Sequence, residues 1–261
     1  MMLLGELLTE LRDNQLRDKS DQVAGSASDQ LWTDDTLIRY ISQAQSKFAT
    51  LTSCIRDAST PAVCQLKVVP LTPSIFSLHP SVIAVLSARY PDDHADLART
   101  SHDVFNNYHT PDRRFYDSAY LTSYTPGKPL AYSTDEGMAQ DDYGAFNTMT
   151  FRTYPDVGAG FGATIALRVI RRPINHLSTA NLNARLEIPE HYHMDILDWA
   201  GYLALRGPDL DVAGGDGKGT ADKLRASFMQ TIKDAKRDMQ RRMFAPMVWD
   251  FGRNGFSYER D

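Results

Sequence analysis

Cysteine is nearly absent from the chain: 261 residues contain two, Cys54 and Cys64. Two thiols cannot build a disulfide framework or a four-cysteine zinc site. They allow one bridge at most, and two reduced thiols are expected. No apolar run approaches the ~20 residues that span a bilayer. The opening Met1–Leu8 is apolar but carries Glu6, with Glu10 close behind and no basic leader. It reads as an amphipathic helix rather than a secretory signal, so neither export nor membrane contact is expected. No charge of one sign dominates: 28 Lys and Arg stand against 33 Asp and Glu, a net −5. That balance argues against a protein that coats nucleic acid through an overall basic surface. A local basic stripe stays compatible with it.

What is present is ordinary for a globular protein, 42% hydrophobic and 23% charged. The length fits one or two domains with a core large enough to need no staples.

Leu4, Leu7, Leu8 and Leu11 share one face of a helix predicted over Leu3 to Arg17. Ser20 to Asp29 is rich in Ser, Asp, Ala and Gly and reads as a loop. A second helix starts at Leu31-Trp32-Thr33-Asp34-Asp35, where Thr33 can cap free N–H groups and the acids face the positive helix end. Its stripe is Leu37, Ile41, Ala44, Phe48, Leu51 and Ile55. After Pro61 the period changes. Cys64, Leu66 and Val68 alternate with Gln65 and Lys67, as in a half-buried strand. Extended chain is also predicted at Ser74–Leu78, Ser81–Tyr90, Thr148–Thr153 and Ala163–Ile170, with a short helix over Ala95–Tyr108.

The helical signal returns at Glu187-Ile188-Pro189-Glu190, with Pro in a first turn that tolerates its missing N–H. Leu197, Ala200, Gly201 and Ala204 share a face, and Gly207-Pro208 stops the helix. The last helix is predicted over Thr220 to Met243. Leu224, Phe228, Ile232, Ala235 and Met239 form a bundle seam. Seven cations (Lys223, Arg225, Lys233, Lys236, Arg237, Arg241 and Arg242) outnumber Asp222, Asp234 and Asp238 there. Helices, then strands, then helices predict an α+β fold: an antiparallel helical bundle built from both chain ends with an inserted β-rich lobe. The segments are 1–60 and 180–243 for the bundle, 61–179 for the β-rich insertion and 244–261 for an extended C-terminal arm.

Familiar motifs fail on context. Gly158-Ala159-Gly160-Phe161-Gly162-Ala163 has the letters of a dinucleotide fingerprint, but a strand follows where a helix is required. Gly214–Thr220 resembles a phosphate loop, yet Gly219 follows Lys218 where Ser or Thr is needed. A calcium loop starting at Asp209 and Asp211 is broken by Ala213. Ser101-His102-Asp103 has triad letters, but contiguity is irrelevant to triad geometry. In Glu190–Asp195, His191 and His193 lie about 200° apart on a helix and cannot grip one ion. His191 and Asp195 at i, i+4 could do so with a third ligand, which makes a metal-dependent hydrolase the alternative function. No catalytic residue, cofactor or bound metal is otherwise expected.

The C-terminus is aromatic. Phe244, Trp249, Phe251, Phe256 and Tyr258 fall within the last nineteen residues, although aromatics make up 10% of the chain. Pro246, Gly252 and Gly255 oppose regular structure there, and rings gain from burial, so docking is expected, on another chain or on its own domain.

The segment Leu31–Gln45 resembles the head-to-tail adaptor (connector) proteins of short-tailed bacteriophages. The likeness continues in Phe76–Ile83, in Ile188–Ala200, and in the last helix with its tail Trp249–Tyr258; their order and spacing carry it, while 90–150 departs from the compact family pattern. The resemblance implies a structural virion protein and no enzyme. It implies a homo-oligomeric ring, dodecameric in the family, beneath the portal protein and above the tail or nozzle proteins, at the head–tail junction of a virion made in the host cytoplasm. DNA would pass through the channel during ejection without specific binding. The portal-docking arm would be anchored by Phe244, Trp249, Phe251, Phe256 and Tyr258. Read from charge alone, Lys233, Lys236, Arg237, Arg241 and Arg242 form a solvated face or contact DNA or a neighbouring subunit, with Asp34 and Asp35 as an acidic complement. A DNA-binding accessory factor using the 220–243 helix is a third possibility.

Overall fold

In the computed structural model the described residues are 2–16, 31–71, 74–91, 93, 95–101, 126–134, 149–206 and 217–253, with backbone alone for 217–218 and 242–253. The chain is mixed α+β and divides into two compact units, Met1–Ile55 with Pro173–Asp261, and Arg56–Arg172.

The first unit is helical. Helix α1 (Leu4–Glu10) buries Leu4, Leu7 and Leu8. Its free N–H groups find partners: Leu3 donates to Glu6 Oε2 at 2.8 Å, and Leu4 and Gly5 donate to the carbonyls of Ala184 and Leu182. Where the apolar spacing predicts one regular helix, the structure widens into a π-helical stretch over Leu11–Leu16. Within it Arg12 is buried and donates to Asp34 Oδ1 at 2.6 Å and to the Trp32 carbonyl at 2.8 Å. Helix α2 (Asp34–Thr52) starts as its sequence predicts, with the Thr36 N–H donating to Thr33 Oγ1 at 3.3 Å. Leu37, Ile41, Ala44 and Phe48 form its buried stripe. The helix ends at Ser53, which is left-handed at φ 55, so Ile55 is buried beyond the helix rather than on it.

In the second unit β1 (Arg56–Asp57) precedes the Pro61 at which the sequence pattern changes. Pro61 opens a single-turn helix α3 (Pro61–Cys64), because a proline in the first turn lacks only an N–H that would be unpaired anyway. The predicted strand is therefore shorter, β2 (Gln65–Val68). Next come β3 (Ile75–Ser77), β4 (Val82–Arg89), β5 (Ala98–Arg99), β6 (Ala131–Ser133), β7 (Thr150–Tyr154) and β8 (Ala163–Arg171). The short helix predicted over Ala95–Tyr108 is not found in its described part. There Ala98 and Arg99 pair in parallel with Ala131 and Tyr132, and 102–108 lie outside the described residues.

Strand β8 organises the first sheet. Its alternation places Ile165, Leu167 and Val169 inward and Thr164, Ala166 and Arg168 outward. It pairs antiparallel with β4 along one edge, and with β1 and β2 in succession along the other. The second sheet runs β3-β7-β6-β5. Tyr132 and Phe151 stack across it with centroids 4.9 Å apart. The glycines of 158–163 serve the turn into β8. A Cβ on Gly158 would lie 2.5 Å from the Pro126 carbonyl oxygen, and Gly160 has φ +90. This is a close backbone crossing, not a nucleotide cradle.

A buried ion pair closes the unit. Arg171 Nε donates to Asp57 Oδ2 at 2.6 Å, and both side chains are almost wholly buried. Asp57 also accepts from the backbone N–H groups of Ser59 and Thr60 at 2.8 and 3.0 Å and from both their hydroxyls. Burial alone would raise this carboxyl. The donors of Thr60, Ser59 and Arg171 outweigh it and hold Asp57 well below the usual carboxylate range.

Back in the helical unit, a short 3₁₀ turn (Glu190–Tyr192) leads into helix α4 (Asp195–Leu205). The single helix predicted from Glu187 is thus broken, and the Tyr192 N–H closes on the Pro189 carbonyl at 3.0 Å. Helix α5 (Gly217–Arg253) buries Ala221, Phe228, Ile232, Ala235 and Met239. Its backbone continues ten residues past the Met243 predicted as its end, through Pro246. The arm expected to be extended from 244 is therefore helical as far as Arg253. Residues 254–261 lie outside the described residues.

Asp57→Ala should cost about 3–5 kcal/mol, because the buried Arg171 guanidinium loses its carboxylate; urea denaturation followed by circular dichroism measures it. The depressed carboxyl gives the sign of the pH dependence. Its contribution is complete above the ordinary carboxylate value and is lost as pH falls toward the folded value. Acid should therefore destabilise the wild type more steeply than the variant. Gly158→Ala should cost about 1–3 kcal/mol through backbone overpacking, against less than about 1 kcal/mol for Gly162→Ala. A Cβ on Gly162 meets only ordinary contacts, the nearest at 3.4 Å.

Candidate assembly surface

Helix α5 has two faces. The Phe228–Ile232–Ala235–Met239 stripe is buried; Lys223, Lys233, Arg237 and Arg241 are exposed away from it, and Arg225 and Lys236 are exposed on its flank. The stripe holds the helix through a cluster of rings drawn from distant parts of the chain. Phe48 lies 4.9 Å from Tyr192 and 6.3 Å from Phe228, Trp199 lies 5.1 Å from Phe228, and Trp199 and Tyr202 are 4.8 Å apart. Burial of the stripe fixes which side of α5 faces outward, and so leaves the cations on the exposed surface.

Among the described residues little neutralises these cations. Asp234 lies 3.5 Å from Arg237 and also accepts from Gln230 at 3.0 Å. Both partners of the pair are solvent-exposed, and such pairs are worth ~0–1 kcal/mol. Of the residues predicted to contact DNA or a neighbour, Lys233, Lys236, Arg237 and Arg241 stand on this exposed surface. Arg242, Phe244, Trp249 and Phe251 are placed by backbone only, and Phe256 and Tyr258 lie outside the described residues.

Asp34 and Asp35 are not idle acids awaiting the basic helix. Asp34 is held by Arg12 at 2.6 Å, and Asp35 accepts from Thr179 Oγ1 at 2.9 Å. No charge pattern in the sequence shows that Arg12, 22 residues earlier, turns inward to meet Asp34.

His191 and Asp195 do not gather a metal site. His191 is exposed, its ring tilted against Tyr192 at 4.0 Å. Asp195 begins α4; burial and the neighbouring Asp198 raise its carboxyl, and His191 partly offsets them. His193 points the other way: it is buried, with Nε2 3.0 Å from the Ile188 carbonyl. Among the described residues no three His, Cys, Asp or Glu side chains come together as ligands. Cys54 and Cys64 are free thiols, and burial raises both. His102 and Asp103, and the Gly214–Asp216 part of the phosphate-loop lookalike, lie outside the described residues. Among the described residues no helix is long and apolar enough to cross a membrane.

Replacing Lys233, Lys236, Arg237 and Arg241 together by Gln should leave the melting midpoint nearly unchanged, since exposed sites cost about 0.5 kcal/mol or less each. Retention on duplex DNA at low salt should fall in the same variant. The wild type should itself release DNA at physiological salt; a salt titration on immobilised duplex reads both.

A family model described as SU10 adaptor protein matches residues 2–250, nearly the whole chain. The chain belongs to that family. No curated protein matches it.

Proposed function

We propose that this member of the SU10 adaptor protein family is a structural part of a phage particle, joining the portal to the tail as a ring and contributing to the channel through which DNA is ejected. The observation that carries the reading is the family match over 2–250. It agrees with the resemblance to head-to-tail adaptors drawn from Leu31–Gln45, Phe76–Ile83 and Ile188–Ala200.

The physical chemistry suits such a part. A closed ring needs a heterologous contact, in which one face of each subunit meets a different face of the next. A helix with one buried stripe and one cationic face, on a chain that is acidic overall, offers two unlike surfaces of that kind. A conduit must also let DNA slide, which a net charge of −5 favours over tight phosphate binding. In this reading Phe244, Trp249, Phe251, Phe256 and Tyr258 anchor the C-terminal segment on the portal. Lys233, Lys236, Arg237, Arg241 and Arg242 face DNA or the neighbouring subunit. The ring is a dodecamer, tail or nozzle proteins lie beneath it, and the protein is made in the host cytoplasm and resides at the head–tail junction.

Deleting 244–261 should abolish co-sedimentation with portal rings while the truncated chain keeps its cooperative melting transition. Electron micrographs of the full protein mixed with portal should show added density at one end of the portal. A truncated chain that still joins portal rings would overturn the arm assignment.

A further inference from the structure

Two cations of the helical unit sit on rings instead of on acids. Lys47 of α2 places Nζ 3.5 Å from the centroid of Trp199, and Arg225 of α5 lies 6.0 Å from the centroid of Tyr202. The two rings are neighbours on α4, 4.8 Å apart, and both are buried. Three helices thus bring two positive groups onto a pair of neighbouring rings tilted 44° to each other. Lys47 is half-buried and Arg225 exposed, and among the described residues neither forms an ion pair. The like charge of Arg225 reaches Lys47: burial first, and Arg225 second, hold the Lys47 amine below its ordinary value. Two like charges coupled across neighbouring rings cost free energy in the isolated subunit, and an incoming anion relieves that cost.

We propose that Lys47 and Arg225, seated on the Trp199–Tyr202 ring pair, form a docking point for a carboxylate of a second copy of this chain, an assignment that rests on reading the chain as an assembly part. The guanidinium offers a planar fork that matches a carboxylate, and the ammonium adds a point charge beside it. The rings cover one side of the site, while Arg225 stays exposed to an incoming group. Aromatic and Arg side chains together are also the usual centre of an energetic contact. The second copy is favoured as the source by charge. Residues 220–243 carry seven cations against three acids, so the rest of each copy carries 21 cations against 30 acids. A neighbour therefore carries an excess of carboxylates outside its own α5 that can complement this spot. Duplex DNA, with a phosphate every ~3.4 Å along each strand, would be met by many cations, as on the exposed surface of α5, better than by an isolated pair.

The test uses the full chain assembled on portal rings from an equal mixture of ¹⁴N- and ¹⁵N-labelled protein, treated with a water-soluble carbodiimide that joins amines to touching carboxylates. Mass spectrometry should find Lys47 joined to an Asp or Glu of a differently labelled copy. Lys47→Glu combined with Arg225→Glu should reduce the assembled fraction at least tenfold at fixed concentration. The milder Lys47→Gln with Arg225→Gln, made in case charge reversal disturbs folding, should reduce it less and keep the wild-type melting midpoint. If other inter-copy links form but none includes Lys47, or Lys47 joins only another protein, the docking point is overturned while the adaptor reading stands. Loss of DNA retention with unchanged assembly in the Glu variant would also overturn it. If no assembly with portal forms even in the wild type, the adaptor reading falls first and the docking point with it.

Discussion

The sheet unit depends on a carboxylate that should not be comfortable where it is. Asp57 is buried, and burial alone drives a carboxylate toward its neutral form. It stays charged because the turn from Asp57 to Thr60 folds back on it with two backbone N–H groups and two hydroxyls, and Arg171 adds a guanidinium. The pair joins the first strand of the unit to the last. Arg56 pairs with Ile170 and Asp57 with Val169, so the chain enters and leaves on adjacent strands. Everything between them is a closed excursion. Loop length inside such an excursion costs little, because closure entropy grows only with the logarithm of length.

The helical unit is held by rings from four separate parts of the chain, Phe48, Tyr192, Trp199 and Phe228. None of the helices can bury its own stripe alone. Helix α2 needs α4 and α5, which come more than 100 residues later, after the sheet unit has been made. The close return of β8 beside β1 makes that encounter local in space although it is distant in sequence. Gly201 belongs to the same packing. A Cβ there would come within 2.6 Å of Gln15 Oε1, whose amide nitrogen donates to Asp198 at 2.8 Å.

The sequence made the periodic elements legible. The Leu37–Phe48 stripe with its Thr33 cap, the alternation of β8 and the Phe228–Met239 seam each repeat one signal over several turns or residues. What it hid was everything decided by a partner far away. The two-residue strands β1 and β5 are too short for any period to show, and they exist because β8 and β6 offer edges. The π-helical stretch after Glu10 and the 3₁₀ turn at Glu190 replace regular α-helix that propensity alone would allow. The charged sites followed the same rule. A row of cations on α5 can be counted from its letters, but Asp57–Arg171, Arg12–Asp34 and Lys47 over Trp199 join residues separated by 114, 22 and 152 positions.

These hidden pairs divide the charges into two kinds. Arg12 and Arg171 are buried against carboxylates, and their energy is spent inside the subunit. The exposed cations of α5, with Lys47 and Arg225 on their rings, have no comparable internal partner among the described residues. In the proposed assembly, positive charges held apart from the larger store of acids have a use. Held apart on one helix and one ring pair, they give the subunit two unlike faces. Contact between unlike faces can propagate from copy to copy and close, which contact between like faces cannot do.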